Sequence, residues 1–301
     1  MKLLLTGAFN YSHEQLKLIE NLGYDITFVQ NELEKLNINV SEFDAVVCNG
    51  LFLHNDIDDF LSLRFVQITS AGYDRVPVKK IKANSINLCN ARGVYSAPMA
   101  EWAVLKALEI YKNSRLFYKN QSNNIWLKDR TLLELTDKNV AVFGAGDIGT
   151  KCAKRFSAFD ANVIGIDISD IQSEYFNEKY LISDIEKVLK KSDIVILMLP
   201  LTDMTYHLFD EKMFSKFKDN SVLINVSRGA VIDENALINA IDNNKFLGVA
   251  LDVFENEPLG SDSPLWNKEN VLISPHNSFV SDKTNERLFN VIYSNLKEFN
   301  N

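Results

Sequence analysis

The hexapeptide Gly144-Ala145-Gly146-Asp147-Ile148-Gly149 stands between an apolar run, residues 140–143, and a helical pattern striped by Ile148, Cys152, Ala153 and Phe156. A second apolar run, residues 162–166, follows and ends at Asp167. The order is strand, tight glycine turn, helix, strand, acid. The glycines permit the turn and let the backbone approach a pyrophosphate, whose charge meets the positive end of the helix. Asp167 lies 18 residues past Gly149, where its carboxylate can accept from a ribose 2′-hydroxyl. Glycines at this spacing also serve ordinary turns. The two flanking strands and the acid turn a weak motif into a dinucleotide-binding unit.

The rest of the chain extends that pattern in both directions. Before it, strand-like runs at 3–6, 25–29, 45–48, 65–68 and 86–89 alternate with amphipathic stretches, among them a helix over 12–22 capped by Ser12. Short apolar strands separated by helices imply a parallel sheet covered on both faces. Residues 96–118 follow as one long helix with Pro98 in its first turn and Trp102, Leu105, Leu108 and Leu116 at helical spacing. Residues 119–136 read as an arm or loop. Beyond the glycine turn, strands are expected at 194–199, 222–226, 247–251 and 271–273, and a final helix at 281–299.

Bulk properties narrow the function. A chain of 301 residues is more simply two domains than one. Its 46% hydrophobic and 24% charged residues suit an ordinary globular enzyme. The net charge of −8 gives no electrostatic reason to expect nucleic acid or an anionic membrane as partner. An anionic substrate would need a local positive site. Cys48, Cys89 and Cys152 are scattered and have no zinc-site spacing, which points to reduced thiols in a cytoplasmic protein. The apolar start at residues 1–5 is too short for a signal peptide, and no run reaches the ~18 residues of a membrane span.

Of four histidines, His13 and His54 sit in polar surroundings, and His207 reads as a surface or packing residue. His276 differs, because it follows a strand through Ser274-Pro275. Open parallel sheets place their ligands at the carboxyl ends of strands. Arg228 and Glu257 lie at comparable strand ends. Together the three supply what hydride transfer to an oxo acid needs. A guanidinium grips a carboxylate in a bidentate fork and polarises the carbonyl. An imidazolium gives a proton to the carbonyl oxygen. A carboxylate beside that ring orients it and favours its charged form.

These pieces, in this order, resemble the D-isomer-specific 2-hydroxyacid dehydrogenases. The likeness runs through Thr69-Ser70-Ala71-Gly72-Tyr73-Asp74, residues 90–93, Ala100-Glu101, residues 192–202, residues 223–234, residues 252–258 and Ser274-Pro275-His276. It implies an α/β fold of two doubly wound parallel-sheet domains with an interdomain cleft. Residues 1–95 and 280–301 would form a flavodoxin-like substrate-binding domain, and residues 96–279 a Rossmann NAD-binding domain. By the same resemblance Arg228, Glu257 and His276 are catalytic, and backbone N–H groups of Ala71 and Gly72 bind the substrate carboxylate. NAD contacts fall on Gly144, Gly146, Asp147, Ile148, Gly149, Asp167, Leu199, Pro200, Thr205, Val226, Ser227 and Asp252, with Asp252 facing the nicotinamide carboxamide. No metal is required, since Arg228 and His276 supply the electrophilic assistance. A homodimer through the nucleotide domains is implied, with residues 119–136 as a contact arm.

The sequence departs from the family pattern at Asn277-Ser278-Phe279, where many members carry small apolar residues and glycine, and at the bulky Tyr73. Both positions bear on the substrate pocket and neither on the chemistry. Two rival readings share the scaffold. An NADH-sensing corepressor would bind without turnover, but the short termini offer no partner-recruiting tail. The other is a formate or phosphite dehydrogenase variant, and a formate enzyme of this scaffold would carry glutamine where this chain has Glu257.

Overall fold

The computed structural model describes residues 1–300. The chain divides into two compact units, Met1–Tyr95 with the stretch from Ser281 onward, and Ser96–Val280. Each is built on one parallel sheet.

In the first unit the strands are β1 (Lys2–Thr6), β2 (Asp25–Val29), β3 (Ala45–Cys48), β4 (Phe65–Ile68) and β5 (Asn87–Cys89), in the order β2-β1-β3-β4-β5. Every pairing is parallel. This is the flavodoxin-like order, with its reversal between β1 and β3. The central strands β3 and β4 are buried at every position, as a sheet covered on both faces requires. The helix His13–Glu20 starts with a reciprocal capping box between Ser12 and Gln15, which satisfies two otherwise orphaned amides. The C-terminal helix Thr284–Phe299 buries Leu288, Phe289, Ile292 and Leu296 in the same core as Leu3, Leu5, Ile19 and Phe65. Tyr24 donates its hydroxyl to the Leu296 carbonyl at 2.7 Å.

The second unit contains β6 (Asn139–Phe143), β7 (Asn162–Asp167), β8 (Glu178–Leu181), β9 (Ile194–Leu197), β10 (Ser221–Asn225), β11 (Phe246–Leu251) and β12 (Val271–Ile273). Their order is β12-β11-β10-β9-β6-β7-β8, all parallel. The strand order reverses between β6 and β9, the doubly wound arrangement that opens a crevice at that point.

Three expectations needed correction. The long helix over 96–118 is two helices, Ser96–Tyr111 and Ser114–Ser122. The break falls at Asn113, whose φ of 47° is left-handed, a conformation that asparagine tolerates better than most residues. The second helix also runs into residues 119–122, expected as arm. Nor does the buried face of Ser96–Tyr111 follow its large apolar residues. Ala100, Ala103 and Ala107 are the buried ones, while Leu105 is 44% exposed. Alanines on that face share a core with Cys152, Ala153 and Phe156 of the helix Asp147–Ser157, and small side chains let two helix backbones approach. Strand β8 gave no periodic signal, because at this sheet edge the charged Glu178 is half-buried and the apolar Leu181 exposed.

Glu178 anchors that edge. Its carboxylate accepts from Lys191 Nζ at 2.6 Å, Tyr180 Oη at 2.7 Å and Asn162 Nδ2 at 3.2 Å. The Lys191 ammonium first, then the Tyr180 hydroxyl, hold its pKa down at about 2, from an ordinary 4.5. A carboxyl depressed in the folded state adds stability above its unfolded pKa and loses it as pH falls through the folded value. Glu178→Gln is therefore expected to destabilise at neutral pH by less than about 1 kcal/mol, since the pair is partly exposed and screened. The difference from wild type should shrink between about pH 5 and about pH 2. Thermal midpoints across that range check it; a difference that stays constant would remove the ion pair from the account.

Candidate active site

Three neighbouring strands lead to Arg228, Glu257 and His276. β10, β11 and β12 lie side by side and parallel, so their carboxyl ends open on one edge. Residues following β10 lead to Arg228, those following β11 to Glu257, and those following β12 to His276.

The structure brings Glu257 and His276 together. Glu257 Oε2 lies 2.8 Å from His276 Nδ1, and both side chains are about one-third exposed, at 34% and 33%. Glu257 Oε1 accepts from the Phe254 amide at 3.1 Å, which fixes the carboxylate from its other side. His276 is held by its backbone, whose amide donates to the Asp252 carbonyl at 2.7 Å and whose φ is 49°. With Nδ1 engaged by a carboxylate, Nε2 is the ring nitrogen left for a further partner. Phe279 meets the imidazole edge-on, ring centroids 5.8 Å apart.

Asp252, 1% exposed, is the knot that ties two of these strand ends. Its Oδ1 accepts from Ser274 Oγ at 2.6 Å and the Asn277 amide at 2.9 Å. Its Oδ2 accepts from the Ser278 amide at 2.9 Å. Those three bonds shape the loop that presents His276. Asn225, fully buried, does the same for Arg228. Its Oδ1 accepts from the Ser227 amide at 3.0 Å and hydroxyl at 2.8 Å, and its Nδ2 donates to the Arg228 carbonyl at 3.0 Å. Arg228 itself is extended and donates Nη1 to the Ser227 carbonyl at 2.8 Å. Gly229 is a packing requirement, since a Cβ there would lie 1.8 Å from the Phe254 carbonyl carbon. The positioning roles of Asn225 and Ser274 depend on contacts between strand ends, which local pattern does not encode.

The glycine turn has the shape a pyrophosphate needs. Gly144 adopts φ +94°, and a Cβ on it would come 2.5 Å from the Met198 carbonyl oxygen, beyond the end of β9. Gly146 caps the helix Asp147–Ser157 without a side-chain bond and has open space where its Cβ would be. The helix N-terminus therefore faces that space uncovered by a side chain. Asp147 is bonded to Ser96 Oγ. Ile148 and Gly149 open the same helix, with Gly149 buried against the Gly144 carbonyl. At the end of β7, Asp167 Oδ2 accepts from the Ala145 amide at 2.8 Å and Oδ1 from the Ile168 amide at 2.7 Å. The acid and the glycine turn thus form one unit. Beyond β9, Leu199 is buried and Pro200 exposed. Thr205 closes that loop, donating its hydroxyl to the Pro200 carbonyl at 2.6 Å and accepting from the Thr202 amide at 2.8 Å. Val226 and Ser227 are buried beneath Arg228. A dinucleotide fits this arrangement.

Ala71 and Gly72 belong to the first unit, after β4. The Ser70 carbonyl accepts from the Ala91 amide at 2.9 Å, and the Ala71 carbonyl from Asn90 Nδ2 at 2.6 Å. Ser70 Oγ donates to the Gly72 carbonyl at 2.9 Å. In a planar trans peptide the N–H points opposite the C=O. Pinning these carbonyls turns the Ala71 and Gly72 amides the other way, as an anion-binding loop requires.

The class that fold and site define is an NAD-dependent α/β oxidoreductase. Residues 104–278 match the model of the D-isomer specific 2-hydroxyacid dehydrogenase NAD-binding domain, and the chain belongs to that family. It is similar to a glyoxylate reductase of Thermofilum pendens, 31% identical over 276 residues that cover 87% of this chain and 80% of the relative. It is also similar to a hydroxypyruvate reductase of Blautia hydrogenotrophica, 28% identical over 94% of this chain and 91% of that protein. A crystal structure of D-lactate dehydrogenase from Aquifex aeolicus, complexed with NAD and lactic acid, shares the fold. Its TM-score is 0.82 at 23% identity, covering 99% of this chain and 95% of that one. Among the described residues, no helix is long and apolar enough to cross a membrane.

Proposed function

We propose that this protein catalyses reversible hydride transfer between NAD(H) and C2 of a small 2-oxo acid, giving the D-2-hydroxy acid. The observation that carries this is the 2.8 Å Glu257–His276 pair, carried by the two strands next to the one that leads to Arg228 on a dinucleotide-binding sheet. The nicotinamide supplies the hydride that reduces C2. Arg228 grips the substrate carboxylate in a planar fork and polarises the carbonyl. His276 transfers its proton from Nε2 to the carbonyl oxygen as that oxygen gains charge, and in the reverse direction takes it back. Glu257 keeps the ring oriented. The amides of Ala71 and Gly72 are proposed as an anion-binding group of the first unit. Relatives that act on glyoxylate, hydroxypyruvate and D-lactate suggest substrates of two or three carbons. NADH oxidation against glyoxylate, hydroxypyruvate, pyruvate, 2-oxoisocaproate and phenylpyruvate tests the reading. NADH binding with no turnover of any of them would favour a corepressor.

Cofactor choice follows from Asp167. A 2′-phosphate there would meet like charge, and no Arg or Lys follows in sequence until Lys179. NADH is expected to be preferred over NADPH by at least ~10-fold, about 1.4 kcal/mol. Asp167→Ala should narrow the gap, although it also removes an acceptor from the Ala145 amide. Equal kcat/KM for the two cofactors in wild type would refute the assignment.

A homodimer is proposed from the arm. Tyr118, Ile125, Trp126 and Leu127 are exposed, Trp126 almost completely at 96%. The same unit carries an apolar groove lined by Ile110, Leu116, Leu132, Leu247 and Leu272. Exposed apolar groups and an apolar groove on one chain suit an isologous pairing of two copies. Trp126→Arg should shift sedimentation from dimer toward monomer; a monomeric wild type would remove the proposal. The unpaired thiols of Cys48, Cys89 and Cys152 support a reducing, cytoplasmic location.

A further inference from the structure

Glu255 and Glu257 stand two residues apart in the turn that follows β11, and each faces a histidine. Glu257 faces His276 at 2.8 Å, and Glu255 Oε1 lies 3.2 Å from Nε2 of His207. His207 arrives from another direction, at the end of the loop that Thr205 closes. Its backbone is left-handed, at φ 48°, and its amide donates to the Ala230 carbonyl at 2.8 Å. Its ring lies flat against Tyr206, centroids 4.1 Å apart and planes 13° from parallel. Nε2 is buried without an aligned hydrogen bond, so Glu255 is its polar neighbour by proximity.

Glu255 is also gripped from the helix Glu234–Asp242. Its Oε1 accepts from the Glu234 amide at 2.8 Å, and its own amide donates to Glu234 Oε2 at 3.4 Å. Burial, and then the Glu255 charge, raise the Glu234 carboxyl above its ordinary range. The backbone of Phe254 and Glu255 rests on Gly229, directly after Arg228. Segments carrying His207, Arg228 and Glu234 therefore converge on the turn that carries Glu257.

Two carboxylates thus stand in one turn, each with its own imidazole. We infer that His207 and Glu255 form a second imidazole–carboxylate pair whose task is to position the 252–258 turn, so that Glu257 is the acid that meets His276. This rests on the proposed roles of Glu257 and His276. His207 and Glu255 are positioning residues, with no contact to the reacting atoms.

The decisive variant is His207→Gln. Groups facing His207 are Glu255, Glu234 behind it and Tyr206; those facing His276 are Glu257 and the Phe279 ring, with Asp252 beneath its loop. A merely structural role would lower the thermal midpoint and leave kcat of the folded enzyme unchanged. A positioning role costs Glu257 its aim, so kcat for 2-oxo acid reduction falls about threefold to tenfold, with the NADH dissociation constant unchanged. Glu255→Gln, which keeps an oxygen for the Glu234 amide, should lower kcat the same way. The double variant should be no worse than the poorer single, because the pair acts as a unit. His207→Phe keeps the ring on Tyr206 and lacks Nε2, so it gives the same reading if the glutamine variant fails to fold. An unchanged kcat in the His207 variants, or additive losses, overturns the inference. An alkaline limb that survives in His276→Asn overturns the underlying assignment instead, and the two failures are separate.

Discussion

His276→Asn is expected to lower kcat for 2-oxo acid reduction by on the order of 10²–10⁴-fold and to abolish the alkaline limb of the pH profile. Asparagine can still donate a hydrogen bond, but it cannot deliver a proton to an oxygen that becomes a hydroxyl. Reduction needs the imidazole charged, and oxidation needs it neutral. A carboxylate 2.8 Å from Nδ1 fixes the orientation of the ring. In Glu257→Gln the ring keeps a polar neighbour and loses that charge. kcat/KM should then fall in both directions, by less than in His276→Asn. Measuring kcat/KM for reduction and for oxidation tests this. If Glu257→Gln leaves both rates in place, Glu257 is not the partner that matters.

What the sequence reveals is tied to period and punctuation. Strands buried on both faces read as uninterrupted apolar runs, and Ala45–Cys48 and Ile194–Leu197 are found where those runs lie. Glycines and an acid at fixed offsets mark the nucleotide turn, because backbone approach and left-handed φ are demands only glycine meets easily. His276, Glu257 and Arg228 stand out because they directly follow such runs. Less was legible where the determinant lies in another segment. Helix Ser96–Tyr111 buries its alanines because of the helix it packs against, a preference that side-chain hydropathy alone inverts. Asn113 breaks the helix by a backbone conformation that the sequence permits without requiring. His207 resembled a surface histidine because Glu255, its neighbour, lies 48 residues further along the chain. The buried bonds of Asp252 to residues 274, 277 and 278 join two strand ends that only the sheet order makes adjacent.

Arg228→Lys separates a charge from a geometry. Both side chains are cationic, so a role in lowering local negative potential would survive the change. A guanidinium presents paired N–H donors in one plane, matching a carboxylate, whereas an ammonium is a point charge on a flexible stem. The frame around Arg228 is rigid. Buried Asn225 holds the Arg228 carbonyl at 3.0 Å, the backbone is extended, and Nη1 is pinned to the Ser227 carbonyl at 2.8 Å. Lysine would enter that frame without the Nη1 bond and without the fork. kcat/KM for 2-oxo acid reduction is therefore expected to fall on the order of 10²-fold or more, the scale seen when one aligned transition-state donor is removed. Part of the loss should appear in kcat, because the fork polarises the carbonyl as well as holding the acid. NADH affinity, read by fluorescence titration, should change by less than about twofold, since the glycine turn and Asp167 are untouched. Near-native kinetics in Arg228→Lys would reassign the arginine to capping the turn after β10 and leave the substrate carboxylate to other donors. A loss confined to NADH binding would place it on the cofactor instead.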